Sequence, residues 1–243
     1  MTDMPKDQSP NVLLLMDRIS KWINIISTPK FKAYKRKQIG YVLADELEHE
    51  LRLVEPIGDF VFEKAVQAQH KLVMSFFHLY DSGRVLSQCE YYFRRYPFRD
   101  LPVTRDDHAR NMCEFYFSSI YIARERLKKV LNLIAKMYKD HGLDIRGTLK
   151  SFDTAFEQEL GMRHQATHDE PFGDLHIDRL ILTRILSSGP RLKHKGWHEE
   201  HLRQYRRFTM EWSKRAARRS NIVQRLIASV AQALLEKAKF LAE

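Results

Sequence analysis

Between Arg163 and His168 the chain reads R-H-Q-A-T-H, the residues here best suited to chemistry. An arginine can hold a phosphate through two parallel hydrogen bonds. A histidine titrates near neutral pH and can move a proton at a ribose hydroxyl or at a leaving oxygen. The hexapeptide also lies in a local excess. Six of the eleven histidines, His164, His168, His176, His194, His198 and His201, fall within one 38-residue span. Two kinds of chemistry compete for them. His164 and His168 are four apart, His198 and His201 three apart, and Asp169, Glu170, Glu199 and Glu200 are nearby, which is a spacing that metal ligands use. Arg163 with His168 needs no metal and no other cofactor.

The elements that carry these residues are read from periodicity. Leu149, Phe152, Phe156 and Leu160 follow at three- and four-residue steps and share one helix face. The next positions on that stripe are Arg163, His164 and Thr167, so the stripe turns cationic before Pro171 ends the helix. An unpaired charge there is costly to desolvate, and Asp169 or Glu170 are the partners in reach. If Arg163 is simply paired at a domain edge, it has no further role.

At 243 residues with 44% hydrophobic and 30% charged residues, the chain has the make-up of a globular protein with a sizeable core. Only nine glycines and eight prolines interrupt it, several crowded into 171–196, which favours long helices over many short strands. Two cysteines, Cys89 and Cys113, give no disulfide framework, and a reducing cytoplasmic setting follows. The opening MTDMPKDQSPN lacks the layout of a signal peptide. The apolar run after it is broken by Asp17, Arg18 and Lys21, so no membrane span is expected there. The formal charge of +10 favours anionic partners, nucleic acid or a membrane surface.

Taken in order, Ser9-Pro10 is a helix entry, and the first helix runs to about Ser27 with Leu13, Met16, Ile19, Ile23 and Ile26 inward. A second, from about Lys30 to Val54, opens on Lys30, Lys32, Lys35, Arg36 and Lys37, either a solvated face or a phosphate-tracking patch. A third spans Asp59 to about Tyr80. In 81–103, Tyr91, Tyr92, Phe93, Tyr96 and Phe98 interleave with Arg94, Arg95 and Arg99. Such rings can stack bases, but a connector whose rings plug the core is the preferred reading. Pro97 and Pro102 mark the boundary between an N-terminal helical extension, 1–102, and a helical domain, 103–243, unless the whole chain is one continuous domain.

Thr104 with Asp107 has the form of a capping box. The helix it starts carries Met112, Phe115, Ser119, Ile122, Leu127, Val130, Ile134 and Met137 inward and reaches about Asp140. One helix over 148–168, a shorter one over 177–187 and a long one over 197–241 complete the reading. In the last, Leu202, Tyr205, Thr209, Trp212, Ala216, Val223, Leu226 and Val230 keep a three-four spacing broken at Arg219. Its first half carries Arg203, Arg206, Arg207, Lys214, Arg215 and Arg218, the candidate RNA-facing surface.

On the residues Arg163 to His168 the chain resembles the HEPN superfamily, all-α domains with an arginine, four to six residues, then a histidine. A polar residue often follows the arginine, as His164 does here. The resemblance covers at most residues 104–243. A second occurrence of the spacing, Arg191 to His198, lacks the polar second residue. The resemblance implies metal-independent cleavage of single-stranded RNA by a homodimer, as in toxin or defence systems. His168 would be the general acid or base, Arg163 would stabilise the phosphorane, and His164 would be a polar support. An antitoxin or another protein would then be a natural partner. One branch has a tyrosine two positions after the histidine, and here that position is Glu170. Some members only bind RNA or protein. The expectation is thus an all-α bundle of long helices that acts on RNA, with a non-catalytic binding module or a metal-binding helical protein as the competing readings.

Overall fold

The computed structural model of the chain describes residues 9–43, 58–98, 102–168, 172–188 and 195–242. Among them every regular element is helical and no strand occurs, so the fold is all-α. The helices are α1 (Pro10–Ile26), α2 (Pro29–Leu43), α3 (Lys64–Arg94), α4 (Arg105–Met137), α5 (Ile145–Ala155), α6 (Glu157–His168), α7 (Leu175–Ser188) and α8 (Lys195–Lys237). A 3-10 turn at Lys239–Leu241 follows. The expected continuation of the second helix to Val54 lies outside the described residues, as do Arg99, Asp169, Glu170, Pro171, Arg191 and His194. No described helix is long and apolar enough to cross a membrane.

Two compact units emerge, residues 1–74 with 228–243 and residues 75–227. The division falls inside α3 and α8 rather than at the Pro97–Pro102 connector. The reason is that α3 does not stop near Tyr80 but continues to Arg94.

In the first unit, α1 buries Val12, Leu15, Ile19 and Trp22, whereas Leu13 and Ile23 are exposed. This register differs from the expected one because Trp22 sets it. Its ring meets Phe240 at 5.5 Å, and its Nε1 donates to Gln69 across 3.1 Å. A large ring with a satisfied N–H outweighs two aliphatic side chains.

The second unit is built around Trp212 of α8, which meets the rings of Phe93, Tyr116, Phe117, Phe172 and Phe208 at 5.7–6.2 Å. Tyr116 and Phe117 therefore fix the register of α4. Its first half buries Cys113, Tyr116, Phe117, Ile120 and Ala123, and the expected Phe115 and Ile122 are exposed. Its second half buries Leu127, Val130 and Ile134 as read. The Thr104 capping box is present, with Asp107 N donating to Thr104 Oγ1 and Thr104 N donating to Asp107 Oδ2. At Gly83 a Cβ would overlap Ile227 Cδ1, so this glycine lets α3 and α8 approach closely inside the unit. Both cysteines are buried and unpaired. Burial pushes the Cys89 thiol up to about 12 and raises Cys113 as well.

The segment 148–168, expected as one helix, is two. Phe156 (φ −118°, ψ 19°) separates α5 from α6, its ring 4.5 Å from that of Phe152. Arg124 of α4 holds α5 through a forked pair with Asp153 at 2.5 and 2.8 Å. On α6 the residue facing inward is Glu159, fully buried. Its Oε1 accepts from Arg215 Nε at 2.9 Å and Arg219 Nε at 3.0 Å, and Arg215 Nη2 lies 2.8 Å from it. Arg215 also lies over Trp212 and Arg219 over Phe156, at 4.8 and 5.6 Å. Flat guanidinium faces thus cover rings while their edges serve one carboxylate.

Removing one partner of such a pair strands the others. Glu159→Ala is expected to lower the unfolding free energy by about 3–5 kcal/mol for a buried pair. The value should fall toward the lower end, because Arg215 and Arg219 keep 25% and 29% of their side chains exposed. Urea unfolding followed by circular dichroism measures it, and a change under about 1 kcal/mol would show the pair to be incidental.

Candidate nucleic-acid interface

The Glu159 clamp decides where the hexapeptide sits. Glu159 and Arg163 are one turn apart, so fixing the first against α8 presents the second toward α4. There the Arg163 guanidinium lies 3.7 Å from the centroid of the Tyr121 ring. It is half-buried, and among the described residues it makes no ion pair. Stacking covers one guanidinium face and leaves the in-plane N–H groups for an anion. His164 is exposed. His168 is the last residue of α6, which stays helical up to it. The positions of Arg163 and His168 are therefore about 140° apart around the helix axis. One chain does not bring these two positions to one face of α6.

After α6, Phe172 docks on α4 by ring and backbone together. Its ring packs 5.0 Å from Phe117, its N–H donates to Glu114 Oε1, and its carbonyl accepts from Arg110 Nε. Asp174 then caps α7, accepting from Ile177 N at 2.8 Å.

The cationic residues of α8 separate into two groups. Arg203, Arg206, Arg207, Lys214 and Arg218 are all exposed. Arg203, Arg207, Lys214 and Arg218 lie near one line along the helix. Arg203 pairs with Glu200, and Arg207 with Glu211 at 3.0 Å. Arg215 does not join them, because it is committed to Glu159 and also donates to Gln158 Oε1. The aromatic stretch before α4 divides likewise. Phe93 is buried, Tyr96 and Phe98 pack on His108, and Tyr91 and Tyr92 are exposed.

A second polar cluster went unread in the sequence. Tyr205 Oη lies 3.0 Å from His108 Nδ1, within hydrogen-bond distance. Arg105 covers the rings of Tyr96 and Tyr205, and buried Asp106 pairs with Arg184 at 2.9 Å. His201, one turn before Tyr205, is buried with Nδ1 3.2 Å from both the Leu180 carbonyl and Thr183 Oγ1. The one available signal was the His201–Tyr205 four-residue step on the inner face of α8. His198 is exposed, and His176 Nε2 lies 3.4 Å from Glu211. Among the described residues, no three histidine, cysteine or carboxylate side chains are grouped to hold a metal ion.

Burial holds the pKa of both His108 and His201 below the usual 6.5. A folded-state pKa below the unfolded one means the unfolded chain takes up protons first as pH falls. Stability should thus be complete above about pH 6.5 and decline progressively below it. The midpoint of thermal unfolding, followed from pH 7.5 to 5, should fall, and His108→Gln should make that dependence shallower. A flat profile would contradict it.

The chain matches no protein-family model, no curated protein and no solved structure.

Proposed function

We propose that the protein acts on single-stranded RNA as an HEPN-like, metal-independent endoribonuclease whose site is completed by a second copy of the chain. The observation that carries this reading is the posture of Arg163. A half-exposed guanidinium 3.7 Å from the centroid of the Tyr121 ring is chemically suited to hold a phosphate. Exposed His164 stands next to it in the chain. His168, a few residues on, is of the type needed to move a proton at the 2′-hydroxyl. The angular separation of Arg163 and His168 on a continuous helix is the reason for invoking a second copy, whose His168 or Arg163 would complete the pair. The exposed cations Arg203, Arg206, Arg207, Lys214 and Arg218 would track the RNA backbone.

The same separation favours one alternative, a helical RNA- or protein-binding module in which Arg163 anchors a phosphate and nothing is cleaved.

Light scattering after size exclusion should give twice the 28.9 kDa chain mass at micromolar concentration. The protein should cut single-stranded RNA, leave DNA of the same sequence intact and produce a 2′,3′-cyclic phosphate end. His168→Ala should lower the rate by about 10²–10⁴, as loss of a general acid or base does. Arg163→Ala should lower it by about 10²–10³, as loss of a charge-stabilising group does. Arg206→Ala with Arg207→Ala should weaken RNA binding and reduce its salt dependence. RNA binding without cleavage would favour the module, and variants of Arg163 and His168 as active as the parent would remove the proposed site.

A further inference from the structure

Two aromatic side chains of the second unit stand on the surface where α3 meets α4, not in the core. Tyr92 and Phe115, 42% and 40% exposed, meet at 6.1 Å with their planes 64° apart. An edge-on pair of this kind covers at most one face of either ring. Tyr91, next in the chain, is 60% exposed. The place is held firmly. Arg126 ties α4 to α3 by donating to the His78 carbonyl at 2.8 Å and to Ser82 Oγ at 2.9 Å. Tyr92 Oη donates to Gln88 Oε1 at 3.2 Å.

The charge here is positive on balance. Over 75–137 the sequence carries eleven lysines and arginines against seven aspartates and glutamates. The carboxylates nearest the rings are already engaged. Asp81 pairs with Arg84 at 2.7 Å, Glu90 with Arg94 at 2.5 Å and Glu125 with Arg124 at 2.6 Å, while Glu114 accepts from Phe172 N. Arg95, Lys128 and Lys129 are exposed and make no ion pair with a described residue. Phe115 and Tyr121, the ring under Arg163, are six residues apart on α4. That is about 9 Å along the axis and about 120° around it, with half-buried Ser118 midway. Cys113, Tyr116, Phe117, Ile120 and Ala123 fill the opposite, buried side. The two ring sites are thus two edges of one open side of α4, a separation that a few nucleotides of single strand bridge. A protein partner would need aliphatic area, and among the described residues of α4 Ile122 is the only exposed aliphatic. Resting on the RNA reading above, we propose that Tyr92 and Phe115 form a base-stacking platform for the strand whose phosphate Arg163 holds. Stacking of this kind asks for a base and not for a particular sequence.

The test is fluorescence anisotropy of the intact chain with 2′-O-methyl oligoadenylate, which cannot be cut, and with an abasic strand of the same length. The abasic strand should bind at least about fivefold more weakly, as loss of one stacked base does. Tyr92→Ala with Phe115→Ala should weaken oligoadenylate binding by a similar factor and leave its salt dependence in place. Tyr92→Phe should bind like the parent, because the ring still stacks. Circular dichroism checks the helicity of each variant. A second measurement needs no substitution. Irradiating the parent with a strand containing 5-iodouridine should attach it at Tyr92 or Phe115, read by mass spectrometry of the tryptic peptides 85–94 and 111–124. Equal binding of the two strands would overturn the platform and return the rings to a protein-facing role. Attachment only elsewhere, or a folded alanine pair that binds oligoadenylate like the parent, would overturn it while leaving the RNA reading in place. A parent that binds neither strand would overturn both.

Discussion

A fully buried carboxylate held by two arginines is the interaction on which the second unit depends. Glu159 interrupts the apolar stripe of α6, and Arg219 interrupts that of α8. Each alone would be a charge in the wrong place. Together they pair, and the two defects can be tolerated only if these helices meet in one register. A hydrophobic contact could slide by a turn at modest cost, whereas this one cannot. Three guanidinium nitrogens converge on Oε1 while Oε2 has no partner among the described residues, so the carboxylate is held from one side.

From this register the remaining features follow. Arg163 is one turn beyond Glu159, so the clamp aims it at Tyr121. Arg215, drawn inward by the same carboxylate, is removed from the outer face of α8 and leaves the cations there on a narrower line. The Phe172 anchor, with ring, N–H and carbonyl all engaged by α4 and α8, sets the start of α7. Structure and charge in this unit are thus one arrangement.

Helix content, the Thr104 cap and the inner stripe of α8 were legible in the sequence, because each rests on short-range rules of spacing and capping. What was not legible depended on which large ring wins a shared space. Leu13 and Ile23 on α1, and Phe115 and Ile122 on α4, have the right period but lose to Trp22, Tyr116 and Phe117. The phase of the stripe, unlike its period, is a tertiary choice. Leu160 was read where Glu159 lies because a stripe read through apolar residues alone skips a polar one that is buried by pairing. The break at Arg219 was visible, but its partner 60 residues earlier was not. His108 with Tyr205 has the same origin, a bond across 97 positions that no local pattern announces.

The two cysteines give the second unit a property of a different kind. Cys89 and Cys113 lie on separate helices of the unit, both fully buried and both held as neutral thiols. Only the thiolate reacts with an alkylating reagent, and only when solvent reaches it. In the native state both sulfurs are therefore silent twice over. The rate at which they become labelled is a clock for the excursions in which this interior opens, and it runs without any engineered probe.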